Sequence, residues 1–287
     1  MTSPRILLAA HQIRPKKQLG QNFIVDPAFA EMIVQRAVIL PEDIILEIGA
    51  GLGALTIPLA RKAKKIFAVE RDRQIIGLLN TEILAGNLSN VSIIEQDILS
   101  IDIEALAGDI GRKMVVIGNL PYNISSQILV QLIRSRNAVN RAVLMFQKEL
   151  AQRITAQLGS KDYGRLTVML RYSSDIKKLV DVKASLFYPK PKVDSEILEL
   201  KFKTEIDPKA TDETFLFKVI KAGFGNRRKT LKNALAASEL NMDANTAKIV
   251  LEEAGIDPIR RAETLSVEEF VKLCNTLINL KKNGKTL

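Results

Sequence analysis

The 287-residue sequence contains one cysteine, Cys274, and one histidine, His11. A single thiol excludes an internal disulfide and any cysteine-based metal cluster, and it agrees with a reducing, cytoplasm-like compartment. A single imidazole leaves histidine metal sites and Ser–His–Asp triads without their parts, so no metal site is expected. No apolar run approaches the roughly 18–20 residues that a membrane helix needs. The N-terminal run ILLAA is too short for the apolar centre of a signal peptide. The chain is therefore read as cytoplasmic, with no membrane partner. Whatever chemistry it performs must run without histidine bases.

What is abundant is positive charge. The formal net charge is +10, and 47% of the residues are apolar. The charge lies in short clusters rather than in one tail: RPKK at Arg14–Lys17, KPK at Lys190–Lys192 and NRRKTLK at Asn226–Lys232. Such a balance favours an anionic partner, with nucleic acid first and a membrane surface second. The apolar content supports one large domain, or a medium domain with a small one. Cys274 falls in an apolar helical pattern and reads as core, whereas His11 reads as surface.

Along the chain, Asp26-Pro27 predicts a helix start, the aspartate as cap and the proline pre-set for the first turn. From Ile44 onward, short β-rich runs alternate with helical patterns: IILEI, KIFAVE, VSIIEQ, MVVIGN and AVLMFQ. A spacing of roughly 20–25 residues predicts a parallel sheet flanked by helices, an α/β fold. After Arg165 the rhythm changes. LTVMLRY, KKLVDV and EILELKF read as strands, with an antiparallel pair at the edge of the sheet. A polar segment, TEIDPKATDET, then reads as a linker, and the rest reads helical. The predicted division is residues 1–205 as the α/β domain and 206–287 as a small helical domain.

The first strand runs into EIGAGLGALTIPLA, with Gly49, Gly51 and Gly53 at a strand-to-helix turn. Glycines permit the tight turn and close approach of a ligand, and the helix start offers N–H groups. Pro58 is expected to bend this helix. A glycine-rich turn with no ligand is the plain alternative. Glu70 ends the second strand, about 20 residues beyond, where a carboxylate can accept from ribose hydroxyls. Asp97 ends the third, where a carboxylate can accept from an adenine amino group; strand-end aspartates also serve as caps. Three consecutive strand ends point to a nucleoside at the carboxyl edge of the sheet. A nicotinamide dinucleotide and S-adenosylmethionine both fit. Glu47 tilts the choice, because an acid beside the loop repels a pyrophosphate and tolerates a cationic methionine end.

The fourth strand ends in GNLPYNIS, Gly118–Ser125. NLPY resembles the N/D-P-P-Y/F motif of methyltransferases that act on adenine amines. With Leu120 in place of the first proline, it resembles the ribosomal RNA adenine dimethyltransferase family. KKQLGQNFIVD (16–26) is similar to that family's N-terminal cofactor lid. EIGAGLGALT (47–56), VERD (69–72), QDIL (96–99), YGRLTVM (163–169), FYPKPKVDS (187–195) and FGNRRKTLKN (224–233) are similar to its other motifs, in order. The match covers nearly the whole chain. It is closest to the bacterial small-subunit (16S) branch, associated with kasugamycin resistance, and more distant from enzymes that modify large-subunit RNA.

The resemblance implies a Rossmann-like class I methyltransferase sheet with S-adenosylmethionine as cofactor. It implies dimethylation of two adjacent adenosines in a hairpin loop near the 3′ end of small-subunit rRNA. A monomer acting within an assembling 30S particle is the expected context. The implied cofactor residues are Asn22, Ile24, Gly49, Gly51, Glu70, Asp97 and Asn119. The implied catalytic stretch is Asn119, Leu120, Pro121 and Tyr122. Asn119 and the Leu120 carbonyl serve as acceptors for the amine, Pro121 stiffens the loop, and Tyr122 stacks on the base. Phe187 is the implied second wall of the base pocket, although its sequence context alone reads as core. Lys16, Lys17, Arg227, Arg228, Lys229 and Lys232 are candidate phosphate contacts. Two competing classes remain: a non-catalytic ribosome-assembly factor on a retired scaffold, and a nicotinamide oxidoreductase. Intact NLPY, Glu70 and Asp97 argue against the first; the lack of a proton-donor histidine argues against the second.

Overall fold

The computed structural model describes residues 3–282. The N-terminal segment forms α1 (Pro4–Ala10), a 3-10 turn at Lys17–Leu19 and the two-residue strand β1 (Phe23–Ile24). Asp26 then caps α2 (Pro27–Arg36), accepting from the Ala28 N–H at 2.9 Å, with Pro27 in the first turn as predicted. The alternating region follows as β2 (Ile44–Ile48), α3 (Thr56–Ala60), β3 (Lys65–Glu70), α4 (Arg73–Ala85), β4 (Val91–Glu95), α5 (Ile103–Ile110), β5 (Met114–Asn119), α6 (Ser125–Arg134) and β6 (Val139–Gln147). The chain continues through α7 (Lys148–Thr155), α8 (Arg165–Ser173), β7 (Ser174–Val182), β8 (Phe187–Tyr188) and β9 (Ser195–Phe202).

Seven strands form one sheet in the order β4-β3-β2-β5-β6-β9-β7. The first five are parallel, and β9 runs antiparallel to β6, with Met145 opposite Ile197. Central strands covered on both faces are near-continuously apolar, and every residue of β2 is buried, its one acid Glu47 included. The flanking helices supply the cover. On α6, Ile128, Leu129, Leu132 and Ile133 are all fully buried, a stripe at helical spacing. Each such side chain stabilises the fold by about 1.5–3 kcal/mol.

Two compact units emerge. The first is residues 1–151 with 175–202; the second is residues 152–174 with 203–287. The second contains α8, α9 (Glu213–Phe224), α10 (Leu231–Ala236), α11 (Ala244–Glu253) and α12 (Val267–Lys282). Its core includes Phe224 stacked on Phe270, with centroids 5.7 Å apart, and the fully buried Cys274. Burial pushes the Cys274 thiol up to about 12, so it stays a protonated packing residue.

One element differs in kind from its prediction. LTVMLRY is not a strand but most of α8. Only Thr167 and Val168 are β-branched, and Leu166, Met169, Leu170 and Arg171 are good helix formers. Thr167 also acts locally, its hydroxyl accepting from the Gly164 N–H at 3.1 Å to close the first turn. Pro58 bends nothing, because α3 is only five residues long and Pro58 lies among first-turn positions that lack intrahelical acceptors.

The close approach of β2 and β5 behind the site requires Gly118. A Cβ there would lie 2.6 Å from the Ile48 carbonyl oxygen. Both atoms belong to paired strands and cannot yield cheaply. Gly118→Ala is expected to cost about 3 kcal/mol, the upper end for overpacking, measurable as a lowered urea midpoint with an unchanged slope.

Candidate active site

A cavity of about 140 Å³ opens at the carboxyl ends of β2, β3, β4 and β5. The sheet order changes direction between β2 and β5, which is the switch point where open α/β sheets hold ligands. Segment 18–24 lines the cavity from the N-terminal side and includes Asn22 and Ile24. Gly49, Gly51, Glu70, Asp97 and Asn119 line it from the strand ends. All seven expected cofactor residues thus meet in one place.

The glycine turn has the geometry its sequence demands. Gly49 and Gly51 adopt φ of +73° and +55°, where side chains with a Cβ are strained. Four of its N–H groups, however, are already used. Those of Gly49 and Ala50 donate to the Val69 carbonyl at 2.9 and 3.1 Å, and that of Gly53 to Ala50 at 3.0 Å. The Gly51 N–H donates to Glu70 Oε2 at 3.0 Å. The N–H groups of all three turn glycines and of Ala50 are therefore directed within the protein.

Glu70 also accepts through Oε1 from the Arg71 and Asp72 N–H groups at 2.8 and 2.9 Å. These bonds fix its carboxylate in one orientation and leave about one lone-pair site, on Oε2, for a hydroxyl donor. Asp97 caps the short turn after β4, Oδ1 accepting from the Leu99 N–H at 3.0 Å, and Oδ2 takes Arg71 Nη1 at 2.9 Å. It is both a cap and a cavity acid. Gln131 on α6 secures this turn by donating to the carbonyls of Ile98 and Ile101 at 3.0 and 2.9 Å.

Glu47 departs from its expected character. It sits in β2 between Ala68 and Ile117 and is 1% exposed. Burial pushes its carboxyl up to about 8, with the nearby Glu70 charge adding to the rise and Thr56 opposing it. At neutral pH it is protonated, not the fixed negative charge assumed from the sequence. Its Oε2 has no hydrogen-bond partner. A buried, unsatisfied carboxyl on a cavity wall costs free energy that a cationic ligand group would recover.

At the end of β5, the Asn119 Nδ2 donates to the Asn22 carbonyl at 2.8 Å. With one amide N–H committed to the Asn22 carbonyl, Oδ1 is the side-chain atom able to accept. Pro121 is seated against segment 18–24, where a Cβ added at Gly20 would lie 3.2 Å from its Cβ. Leu120 is 2% exposed, its side chain anchoring the loop in the core. Tyr122 does not line the cavity. It is half-buried beside it, its hydroxyl 2.9 Å from Ser195 Oγ at the start of β9.

Phe187 does not line this cavity. It is 2% exposed and packs in the core with Ile24 and Phe29. Pairing of β8 with β1, Ile24 opposite Phe187, holds it there. Lys16 is not a free cation either: its Nζ lies 2.8 Å from Asp72 Oδ1. Arg227 is engaged as well, its Nη2 donating to the Lys161 and Tyr163 carbonyls at 2.6 and 3.2 Å. Lys17, Arg228 and Lys229 are exposed, and Lys232 is half-buried. Asp72, Gln21, Gln131 and Ser195 shape the site without having been assigned roles from the sequence. Each lies within or near a quoted motif, but its partner is distant in sequence. No group of residues suited to a metal ion occurs among the described residues.

Comparison with known proteins places these features in context. A sequence profile described as ribosomal RNA adenine dimethylase matches residues 12–278. A protein of Desulforapulum autotrophicum named ribosomal RNA small subunit methyltransferase A is 51% identical over 277 residues, covering 96% of this chain and 97% of that one. A protein of the same name from Magnetococcus marinus is 42% identical, with 95% of each chain covered. Among solved structures, a dimethyladenosine transferase from Plasmodium falciparum superposes with a TM-score of 0.76 at 29% identity, covering 91% of this chain and 98% of that one. The 23S rRNA methyltransferase ErmE superposes with a TM-score of 0.65 at 23% identity, covering 90% and 100%, and shares the fold.

Proposed function

The chain belongs to the ribosomal RNA adenine dimethylase family, and from that premise we propose which RNA it modifies and how its residues do so. It is an rRNA adenine dimethyltransferase on a Rossmann-like sheet, and its methyl donor is S-adenosylmethionine. The proposed substrate is small-subunit rRNA, at two adjacent adenosines of a hairpin loop near the 3′ end. The proposed setting is an assembling 30S particle in the cytoplasm, with the enzyme acting as a monomer. Two relatives at 51% and 42% identity, both named for the small subunit, support the choice of RNA. No helix among the described residues is long and apolar enough to cross a membrane.

The residues present fit the donor. Glu70 would hold a ribose hydroxyl, Asp97 the adenine amine and Glu47 the cationic amino-acid end, while Asn22 and Ile24 would cover it. When bound, the donor supplies a methyl group on a positively charged sulfur. The observation that carries the mechanism is the Asn119 amide, which lines the cavity and is held through Nδ2 on the Asn22 carbonyl, with Oδ1 proposed as the acceptor for the amine.

An adenine amine is a poor nucleophile because its lone pair is delocalised into the ring. Accepting its hydrogens at Asn119 Oδ1 and the Leu120 carbonyl favours a pyramidal nitrogen whose lone pair is available for attack. The proton is released to water afterwards, so no histidine base is needed. Tyr122 offers a stacking face worth roughly 1–3 kcal/mol, and holding the amine in line is worth about 7–11 kcal/mol more. A base inside a duplex is out of reach, so the target is unpaired or flipped. The exposed cations Lys17, Arg228 and Lys229 are proposed to grip phosphates, with Lys232 beside them and Lys16 and Arg227 in bracing roles.

The test is incubation with labelled S-adenosylmethionine and under-methylated small subunits, followed by mapping of the methylated bases. Dimethyladenosine at two adjacent positions is expected; label only in large-subunit RNA would overturn the assignment. Replacing Arg228 and Lys229 together by alanine should reduce the slope of log affinity against log salt by roughly 1 to 2. An unchanged slope would remove these two residues from the RNA interface.

A further inference from the structure

Asp72 is a buried carboxylate with no part in the reaction described above. It is 4% exposed and caps α4, Oδ1 accepting from the Gln74 N–H at 3.2 Å. A cap needs only one acceptor, and serine, threonine or asparagine serves as well. Asp72 does more. Its Oδ1 takes Lys16 Nζ at 2.8 Å, and its Oδ2 takes Gln21 Nε2 at 2.9 Å. Gln21 then folds back, its Oε1 accepting from the Lys16 N–H at 2.7 Å. Residues 16 and 21 are thereby closed into one loop, fastened at both ends to a single side chain.

That loop is the one that lines the cavity. Gln18, Gly20, Gln21 and Asn22 contribute to its wall. Downstream, the Asn22 carbonyl receives Asn119 Nδ2. Upstream, the Asp72 N–H donates to Glu70 Oε1. One turn, Glu70–Asp72, thus carries both the acid proposed for the ribose and the fastening of the lid. Burial disfavours the Asp72 charge, but the bonds from Lys16 and Gln21 outweigh it and hold the carboxyl below its ordinary value. The carboxylate is therefore charged at neutral pH, and the latch is closed there.

We propose that Asp72 is a positioning residue: through Lys16 and Gln21 it holds segment 16–22 over the cavity, setting cofactor affinity and the seating of Asn119 without touching either reactant. This rests on the assignment of the cavity to S-adenosylmethionine, but the latch itself is readable in the free protein. Asp72→Asn keeps the size and the cap acceptor while removing the charge and the second acceptor. Lys16→Met leaves Asp72 and its cap in place and serves if Asp72→Asn fails to fold.

Two readouts are needed. Hydrogen exchange of the free protein should quicken about tenfold across residues 14–24 and stay unchanged across α4 in both variants. Calorimetry should show S-adenosylmethionine binding weakened roughly tenfold, with the double variant no worse than the worse single one. Wild-type exchange across residues 14–24 in Lys16→Met, or cofactor affinity within twofold of wild type, would overturn the proposal. A wild-type protein that binds no S-adenosylmethionine would instead overturn the cavity assignment, with the exchange result still reporting on the latch.

Discussion

Asn119→Ala should lower the rate of methyl transfer by about 10²–10³-fold while cofactor affinity falls only a few-fold. The large term is loss of a preorganised acceptor, by analogy with deletion of one oxyanion-hole donor, worth roughly 3–4 kcal/mol. The small term has a separate origin. The same side chain donates to the Asn22 carbonyl at 2.8 Å, so alanine also frees one point of the lid. That is one neutral hydrogen bond among several lid contacts, worth about 1 kcal/mol. Asn119→Asp separates the two roles. It keeps oxygen acceptors for the amine but replaces the N–H that holds the lid with an oxygen facing a carbonyl. It should therefore retain more activity per bound cofactor than alanine, with weaker cofactor binding. Single-turnover rates at saturating cofactor and RNA measure the first effect, and calorimetry measures the second. A wild-type single-turnover rate for Asn119→Ala would remove Asn119 from the chemistry.

The site was legible where the information is local and periodic. Glu70, Asp97 and Asn119 each lie at the end of a short β-rich run in a strand–helix alternation, so their meeting at one edge follows from parallel topology. The lid and NLPY were legible as motifs. The parts that were not legible depend on partners far away in sequence. Lys16 reads as a phosphate contact until Asp72, 56 positions on, is found 2.8 Å from it. Arg227 reads the same way until its bonds to the 161 and 163 carbonyls are seen. Phe187 reads as core from its sequence context, and its burial opposite Ile24 agrees; the wall role comes only from the resemblance. Residues 166–172 read as a strand yet form a helix, because a buried helix and a buried strand are both apolar over seven residues. Length separates them poorly when a loop and a helix cap, Gly164 and Thr167, set the start. Glu47 differs from its sequence reading for another reason. Its charge state depends on how completely Ala68, Ile117 and the strands carrying them exclude water, which no one-dimensional pattern records.

Glu47 yields the largest expected pH effect. In the unfolded chain its carboxyl titrates near 4.5, and in the folded chain near 8. Between these values the folded protein holds a proton that the unfolded chain has released. The stabilisation is complete below about pH 4.5 and is lost as pH rises through about 8. The slope is about 1.4 kcal/mol per pH unit across that window. Glu47→Gln keeps the shape and the neutral polarity but cannot ionise. The stability difference, variant minus wild type, should therefore grow by about 1.4 kcal/mol per unit from pH 5 to 8 and level off above it, because every other titrating group cancels. Binding supplies the opposing force. A cationic amino-acid end brought to this wall favours the ionised carboxylate, so wild-type protein should release a proton on binding S-adenosylmethionine. Calorimetry in two buffers of different ionisation enthalpy reads that proton directly, and Glu47→Gln should release none from this position while binding more weakly. A flat stability difference between pH 5 and 8 would mean that water reaches Glu47 after all. Equal proton release by both proteins would move the cationic end of the cofactor away from β2. Together the two measurements separate the cost of burying this acid in the free protein from its use in the loaded one.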